Sequence, residues 1–344
     1  MKNSKKLLKN ITEHNCVSIV GLEKNTGKTE TMNFITRNIH RNLKIAITSI
    51  GLDGESFDQI AYTPKPPVNI FEGMIFATCE AFYREKSFLS EILYINEHKT
   101  PLGRTVIAQA KEDGQIVLAG PVINAHLKEL VNDFGKLNSD LIIIDGAFSR
   151  ISHSSPLISD AVILATGATV SLNINILVNK TLEITKIMNL KEYSGTSLNC
   201  ERLERGMYIL NERNGEITRL PFDSTITCTE GIEDYLIGKQ TLFLSGAITG
   251  SFLRMLVQKG LAEDLTVVAK DYTRIFASLG DIMRFERKGG RLEVMYNVNL
   301  IGITINPWCP TGYKYSSAEL VDALQSRVRV PVVDVLAEDN EDAK

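Results

Sequence analysis

The sequence predicts an α/β protein: a P-loop NTPase-like, mostly parallel sheet flanked by helices, followed by a second, smaller α/β block. Three observations predict it. The first half alternates apolar runs with helix-period segments, as strands joined by helical crossovers do. "DLIIIDGA" and "DAVILATG" are apolar almost throughout, which suits strands covered on both faces. Gly27-Lys28-Thr29 stands between an apolar run and an amphipathic segment, where phosphate-binding loops occur.

In order, "VSIVGL" reads as the first strand and "KTETMNFITRNIH" as a helix with Met32, Ile35 and Ile39 on one face. "KIAITSI" is a second strand running into the polar "GLDGES", and the proline-rich "YTPKPPVN" is a surface segment. "GMIFATCEAFYR" fits helix or strand. "EILYINE" and "GQIVLAG" are strands, "NAHLKELVNDFGKL" a helix, and a further helix runs to about Leu190. "MYILNERNGEITRL" reads as a hairpin turned by Asn-Gly. Alternation then resumes through "TLFLSGA", "TGSFLRMLVQKG", "LTVVAKD", "YTRIFASLGDIMRF", "NLIGITINP", "AELVDALQSR" and "VPVVDVL". The expected division is a nucleotide-binding domain over 1–190, a connecting segment over 191–239, a C-terminal α/β domain over 240–336 and an acidic tail over 337–344.

Composition excludes several classes. The 344 residues are 44% hydrophobic and 23% charged, a globular balance. With 38 basic and 41 acidic side chains the net charge is −3, so nucleic-acid binding is not expected. The lysines of "MKNSKKLLKN" read as a solvated start, and the polar "NITEHNC" behind them is no secretory core. "AVILATGATVSLNINILV" is too interrupted for a membrane span. Cys16, Cys79, Cys200, Cys228 and Cys309 are scattered, which argues against a disulfide framework and a zinc site. A soluble, cytoplasmic protein is expected.

The chemistry centres on "VGLEKNTGKTE". Backbone amides at a helix N-terminus point at an anion, and the macrodipole favours negative charge. Lys24, Asn25, Thr26, Gly27, Lys28, Thr29 and Glu30 are the candidate nucleotide contacts. Among them Lys28 would reach the β- and γ-phosphates and Thr29 would hold Mg²⁺. The spacing is irregular, because Gly21 stands one position early and Leu22 occupies the loop's first position. Lys24 is as readily a solvent-exposed loop lysine as a phosphate contact. Asp145, ending "LIIID", is placed to hold the Mg²⁺ shell. Asp53, after the second strand, is expected to orient water or contact Mg²⁺, with Glu55 as the alternative. Lys28, Asp53 and Asp145 form the candidate catalytic set; Thr29, Asp53 and Asp145 form the metal set.

Other segments carry weaker signals. "SGAITGSF" (Ser245 to Phe252) and "AKDYT" (Ala269 to Thr273) stand at strand ends, where an anion or simply a tight turn is served. "TINPWCPTGYKYSS" holds the single Trp in an aromatic loop, suited to base stacking, a partner surface or plain packing. Ser152-His153-Ser154 lacks a nucleophile elbow, and nothing beside Cys309 activates it.

"VGLEKNTGKTE", "TSIGLDGE" and "KPPVNIFEGMIFAT" together resemble aminomutase-associated P-loop proteins, the family of the P-loop subunit of the lysine 5,6-aminomutase reactivase. The likeness is specific over the first 80 residues or so. It implies an ATP- and Mg²⁺-dependent reactivating chaperone for an adenosylcobalamin-dependent aminomutase, working with a MutS-like ATPase partner subunit. No D-x-H-x-x-G pattern is present, so this chain is not expected to hold cobalamin itself. The resemblance carries roles only to Gly27, Lys28 and Thr29, and less surely to Asp53 and Asp145. An ATPase is therefore the expected activity, with a homodimer left open. Two alternatives stand beside it. One is a small-molecule kinase or ATP-dependent ligase of the dethiobiotin-synthetase-like type, with a pocket between Asp53, the loop after Gly120 and Asp145. The other is a nucleotide-binding module without hydrolysis.

Overall fold

The computed structural model describes residues 2–51, 67–100, 102–121, 123–146, 158–195, 203–211, 214–228, 230–236 and 240–339. Asp53, Glu55, the Ser152-His153-Ser154 run, Cys200 and most of the proline-rich segment lie outside them.

The chain opens with α1 (Lys2–Thr12), β1 (Cys16–Gly21), α2 (Lys28–Ile39) and β2 (Ile45–Ser49). Next come β3 (Val68–Ile70), β4 (Ile75–Cys79), α3 (Glu80–Glu85), β5 (Ser90–Thr100), β6 (Gly103–Ala110) and β7 (Gly114–Ile116). Then follow α4 (Asn124–Lys136), β8 (Leu141–Asp145), β9 (Ala161–Gly167) and α5 (Ile174–Met188). The middle of the chain forms β10 (Met207–Leu210), β11 (Ile217–Arg219), β12 (Gln240–Leu244), β13 (Ile248–Thr249), α6 (Gly250–Gln258) and β14 (Leu265–Ala269). It continues with β15 (Ile275–Phe276), α7 (Leu279–Arg287) and β16 (Arg291–Val294), and the chain ends with β17 (Leu300–Asn306), α8 (Ser317–Gln325), β18 (Val332–Asp334) and α9 (Val335–Asp339).

These elements divide into two compact units, one made of residues 1–182 and 300–344, the other of residues 183–299. The first unit is built on a nine-stranded sheet in the order β18-β17-β9-β1-β8-β2-β4-β6-β5. Every pair from β18 to β4 is parallel, while β6 and β5 run antiparallel at one edge. Both faces are covered, as the apolar runs predict. Val17, Ile19, Ile143 and Ile163 pack with Leu7 and Ile11 of α1, Met32 and Ile35 of α2 and Val335 of α9. Cys16, Ile142 and Ile144 pack with Leu127, Leu130 and Phe134 of α4 on the other face. β1 sits in the middle. From it the chain crosses to β2 on one side, and later passes from β8 to β9 across it. This reversal of direction makes the carboxyl end of β1 a topological switch point, where open α/β sheets bind ligands.

The second unit has a five-stranded sheet, β11-β10-β12-β14-β16, in which β12, β14 and β16 are parallel. β10 and β11 form the expected hairpin, and Gly215 takes the left-handed φ of +72° that the turn requires. Tyr193, Tyr208, Phe243, Val268 and Met295 make a core on one face of the sheet. Phe252, Leu253 and Leu256 of α6 and Ile282 and Phe285 of α7 are also buried.

The structure corrects the expected division. The last α/β segments do not complete a C-terminal domain over 240–336. β17 pairs with β9 and β18 with β17, so residues from Leu300 onward finish the first sheet. The segment 191–239 is no mere connector either, since β10 and β11 extend the second sheet. "LIGITIN" is buried at every position. An apolar run of that kind needs a neighbour on each side, and sequence order does not say which sheet supplies them. α1, β6 and β16 were not anticipated. "GMIFATCEAFYR" divides at Cys79, with the β-prone half in β4 and the charged half in α3. "GQIVLAG" contributes only the short β7, paired with β3 outside the main sheet. "YTRIFASLGDIMRF" is helical only from Leu279, after a 3-10 turn at Tyr272–Arg274 and β15.

Candidate functional site

The segment holding Gly27-Lys28-Thr29 leaves β1 at the switch point. Gly21 pairs with Ala165 of β9, and the Leu22 amide still donates to the Ala165 carbonyl at 2.9 Å. Leu22 is therefore an extra sheet residue, buried, and the chain turns away from the sheet only after it. Thr26 is also buried; its hydroxyl donates to the Glu23 carbonyl at 3.0 Å and closes the turn. Two positive φ values shape the rest, Asn25 at +59° and Gly27 at +88°. Asn is among the few residues that tolerate the first, and glycine is the default for the second.

Gly21 accounts for the irregular spacing. A β-carbon there would collide with the Thr26 hydroxyl and stand 2.9 Å from the Lys28 ammonium nitrogen and 3.1 Å from the Glu23 carbonyl oxygen. The Lys28 side chain thus folds back over the strand end, across the bare floor that Gly21 provides. Gly21 leaves open the space beside Thr26 and Lys28 that a side chain would fill.

Lys28 is the first residue of α2, and Gly27 is its N-cap. A glycine cap has no side chain for the first helical amides, which have no acceptor within their own helix. Thr249, Ser278 and Ser316 cap α6, α7 and α8 with their hydroxyls. Among the candidate contacts, Lys24 and Asn25 are exposed, while Lys28, Thr29 and Glu30 are half-buried. Glu30 lies in the first turn, where its charge complements the macrodipole.

Asp145 ends β8, the strand beside β1, in register with Ile19. The Gly146 amide donates to the Ile19 carbonyl at 2.8 Å, so the chain passes immediately beside the strand end that feeds the loop. Asp145 is 6% exposed, and its Oδ1 is buried without a hydrogen-bond partner among the described residues. A buried carboxylate oxygen left unpaired is costly, and a hard cation with oxygen ligands would relieve it. Among the described residues no group of three or more His, Cys, Asp or Glu side chains could hold a metal alone. Carboxylate and hydroxyl oxygens such as those of Asp145 and Thr29 are the donor type that Mg²⁺ takes together with waters and substrate phosphates. Gly120 also reaches this edge, since a β-carbon there would press on the Ser49 carbonyl at the end of β2.

Asn306 was missed by the sequence reading. At the end of β17 its Nδ2 donates to the Asn25 carbonyl at 3.1 Å, and its Oδ1 accepts from the Trp308 amide at 3.0 Å. A β-carbon on Gly27 would lie 3.1 Å from that of Asn306. The C-terminal segment thereby braces the loop and ties it to the aromatic loop after it. The signal was the "INP" strand end, hidden because β17 was assigned to another sheet. Within the aromatic loop Trp308 is 48% exposed. The Tyr315 hydroxyl donates to the Ser171 carbonyl at 2.9 Å, and burial pushes its pKa up to about 12.

A polar groove of about 320 Å³ lies elsewhere, between Tyr94, Asn96 and Glu97 of β5 and the C-terminal half of α4. Cys16, Cys79, Cys228 and Cys309 are free and buried, and burial raises the Cys16 and Cys79 thiols above the ordinary range. Among the described residues no helix is long and apolar enough to cross a membrane. No protein-family model, curated protein or solved structure matches the chain.

Proposed function

We propose that the first unit is a P-loop nucleotide-binding fold that binds and hydrolyses Mg-ATP at the carboxyl end of β1. The observation that carries this reading is the fold-back of Lys28 over Gly21 at the end of β1, together with an Asp145 oxygen at the end of the neighbouring β8 that is buried without a partner among the described residues. In this reading the amides that open α2 receive the phosphates and Lys28 neutralises their charge. Thr29 and Asp145 would hold Mg²⁺, which would supply positive charge to the phosphates. Asn306 keeps the loop in its left-handed shape before nucleotide arrives. Trp308, joined to the loop through Asn306, is placed to sense the nucleotide or stack on its base.

The single tryptophan supplies the test. Titrating Mg-ATP against Trp308 emission should give a saturable change that Lys28→Ala abolishes. Asp145→Asn should retain nucleotide but lose most dependence on Mg²⁺ and most turnover. A wild-type protein that binds neither ATP nor GTP would remove the reading.

The client is proposed on the resemblance alone: an ATP-driven reactivase component for a cobalamin-dependent aminomutase, with a MutS-like ATPase partner subunit. Slow turnover by the isolated chain, accelerated by such a partner, is the expected behaviour. Full turnover on a small molecule without any protein partner would favour the kinase or ligase reading instead.

A further inference from the structure

The second unit has a carboxyl edge of its own. β12 and β14 are parallel neighbours, and each continues past the sheet into an extended segment before its helix. Those segments pair as β13 and β15, with Ile248 opposite Ile275. The residues between, Ser245 to Ala247 and Lys270 to Arg274, therefore lie above the strand ends.

Three features of this rim stand out. Arg274 is half-buried, and its Nε is shut away from solvent without a hydrogen-bond acceptor among the described residues. A guanidinium is always charged and carries five donors, so a buried N–H with nothing to meet is an unfilled demand for an oxygen acceptor. The nearby carboxylates are engaged elsewhere. Asp271 accepts from the Thr273 amide at 3.0 Å and from the Thr273 hydroxyl. Asp281 accepts from Arg254 at 2.7 Å and from the Ser278 hydroxyl at 2.8 Å. Lys270, the residue after β14, adds a second positive charge. Beside the end of β12 there is open space, since a β-carbon on Gly246 would meet nothing within 4 Å. Phe276, two residues beyond Arg274 along the extended segment, leaves its ring 67% exposed.

We propose that this rim is a second binding site, specific for the oxyanion (phosphate or carboxylate) of a small ligand. Arg274 takes the anion through its fork of N–H donors and Lys270 adds charge. Phe276 offers its ring to an apolar or flat portion of the same molecule. The position follows the general habit of parallel α/β sheets, whose ligands lie outside the carboxyl ends of the strands.

The test uses the full chain carrying Lys28→Ala, so that the proposed nucleotide loop contributes little to the signal. Inorganic phosphate and, separately, acetate are titrated and followed by calorimetry. The expected result is saturable binding of at least one of them. Adding Arg274→Gln should weaken that binding by about tenfold or more, the loss of a bidentate charged contact. Arg219→Gln, which removes an equal charge from the β11 strand of the same unit, should leave it unchanged. If Arg274→Gln does not fold by circular dichroism, Arg274→Lys keeps the charge, loses the fork and should still weaken binding. The proposal is overturned if the folded Lys28→Ala chain binds neither anion saturably. Equal affinity with and without Arg274, or an equal loss in Arg219→Gln, overturns it as well.

Discussion

At Gly21 a single methyl group separates two outcomes. Alanine there would drive its β-carbon into the Thr26 hydroxyl and against the Lys28 ammonium, both movable side-chain ends, and within 3.1 Å of the Glu23 carbonyl, which is backbone. The fold should survive at a cost of about 1–3 kcal/mol, the usual range for overpacking. The displaced lysine should not: Gly21→Ala is expected to lower Mg-ATP affinity by about tenfold or more, read by Trp308 emission, with circular dichroism unchanged. Retained affinity would show that Lys28 does not act from this position. Asn306 offers the complementary change. Removing its amide leaves the Asn25 carbonyl without its donor while Asn25 must still hold a φ of +59°. Asn306→Ala should cost about 1 kcal/mol and weaken nucleotide binding through Asn25, while every candidate contact residue keeps its own side chain. These residues also mark what a sequence can disclose. Lys28 and Thr29 are readable because a helix N-terminus after a strand is a local pattern. The partnership of Asn25 with Asn306 spans 281 positions and has no local trace.

Among the elements, α1 is instructive because its composition misleads. Four lysines make "MKNSKKLLKN" look solvated, yet Leu7 and Ile11 are fully buried on one face. Leu7 lies against Gly302 so closely that a β-carbon there would overlap its methyl group, and Asn10 donates to the Ile301 carbonyl at 3.0 Å. The helix thus closes one face of β17 and β18, and Leu7→Ala should cost about 3 kcal/mol, read by denaturant unfolding. In the second unit Asp281 joins two elements, accepting from Arg254 of α6 while it opens α7. Burial works to raise its pKa, but the hydrogen bonds from Arg254 and Ser278 outweigh that and hold it below the ordinary carboxylate value. A depressed folded pKa gives stability above the unfolded value that is lost as pH falls through the folded one. Unfolding of this unit should therefore sharpen below about pH 4, and Asp281→Asn should flatten that limb. β8 and β9 were legible because a strand buried on both faces must be apolar throughout. β6 and β16 were not, because "GRTVIAQA" interleaves its apolar residues with Arg, Thr and Gln, and "RLEV" is only four residues long. Such runs become strands only through the neighbours that pair with them.

At the scale of the whole molecule, the decisive fact is an insertion. The chain leaves the first unit within α5, builds the second over residues 183–299, and returns at Leu300 to complete the first sheet with β17 and β18. Local periodicity marks many of the strands and helices but is silent on which sheet a strand joins, so the sequence suggested two domains in succession. An insertion has thermodynamic consequences that a tandem arrangement lacks. The first unit needs the chain beyond Leu300 to complete its sheet, because β17 pairs with β9 and β18 with β17. A truncation after Leu190 should be unfolded, although it contains every candidate phosphate and metal contact. The full chain should unfold in two calorimetric transitions, since each unit has its own sheet and buried core. Mg-ATP at a hundred times its dissociation constant should stabilise the first unit by about 2.7 kcal/mol and leave the other transition in place. Phosphate, in the Lys28→Ala chain, should instead move the transition of the second unit, and Arg274→Gln should cancel that shift. If Mg-ATP moves both transitions equally, or only one transition exists, the units do not unfold independently. The two proposed sites would then have to be coupled rather than separate.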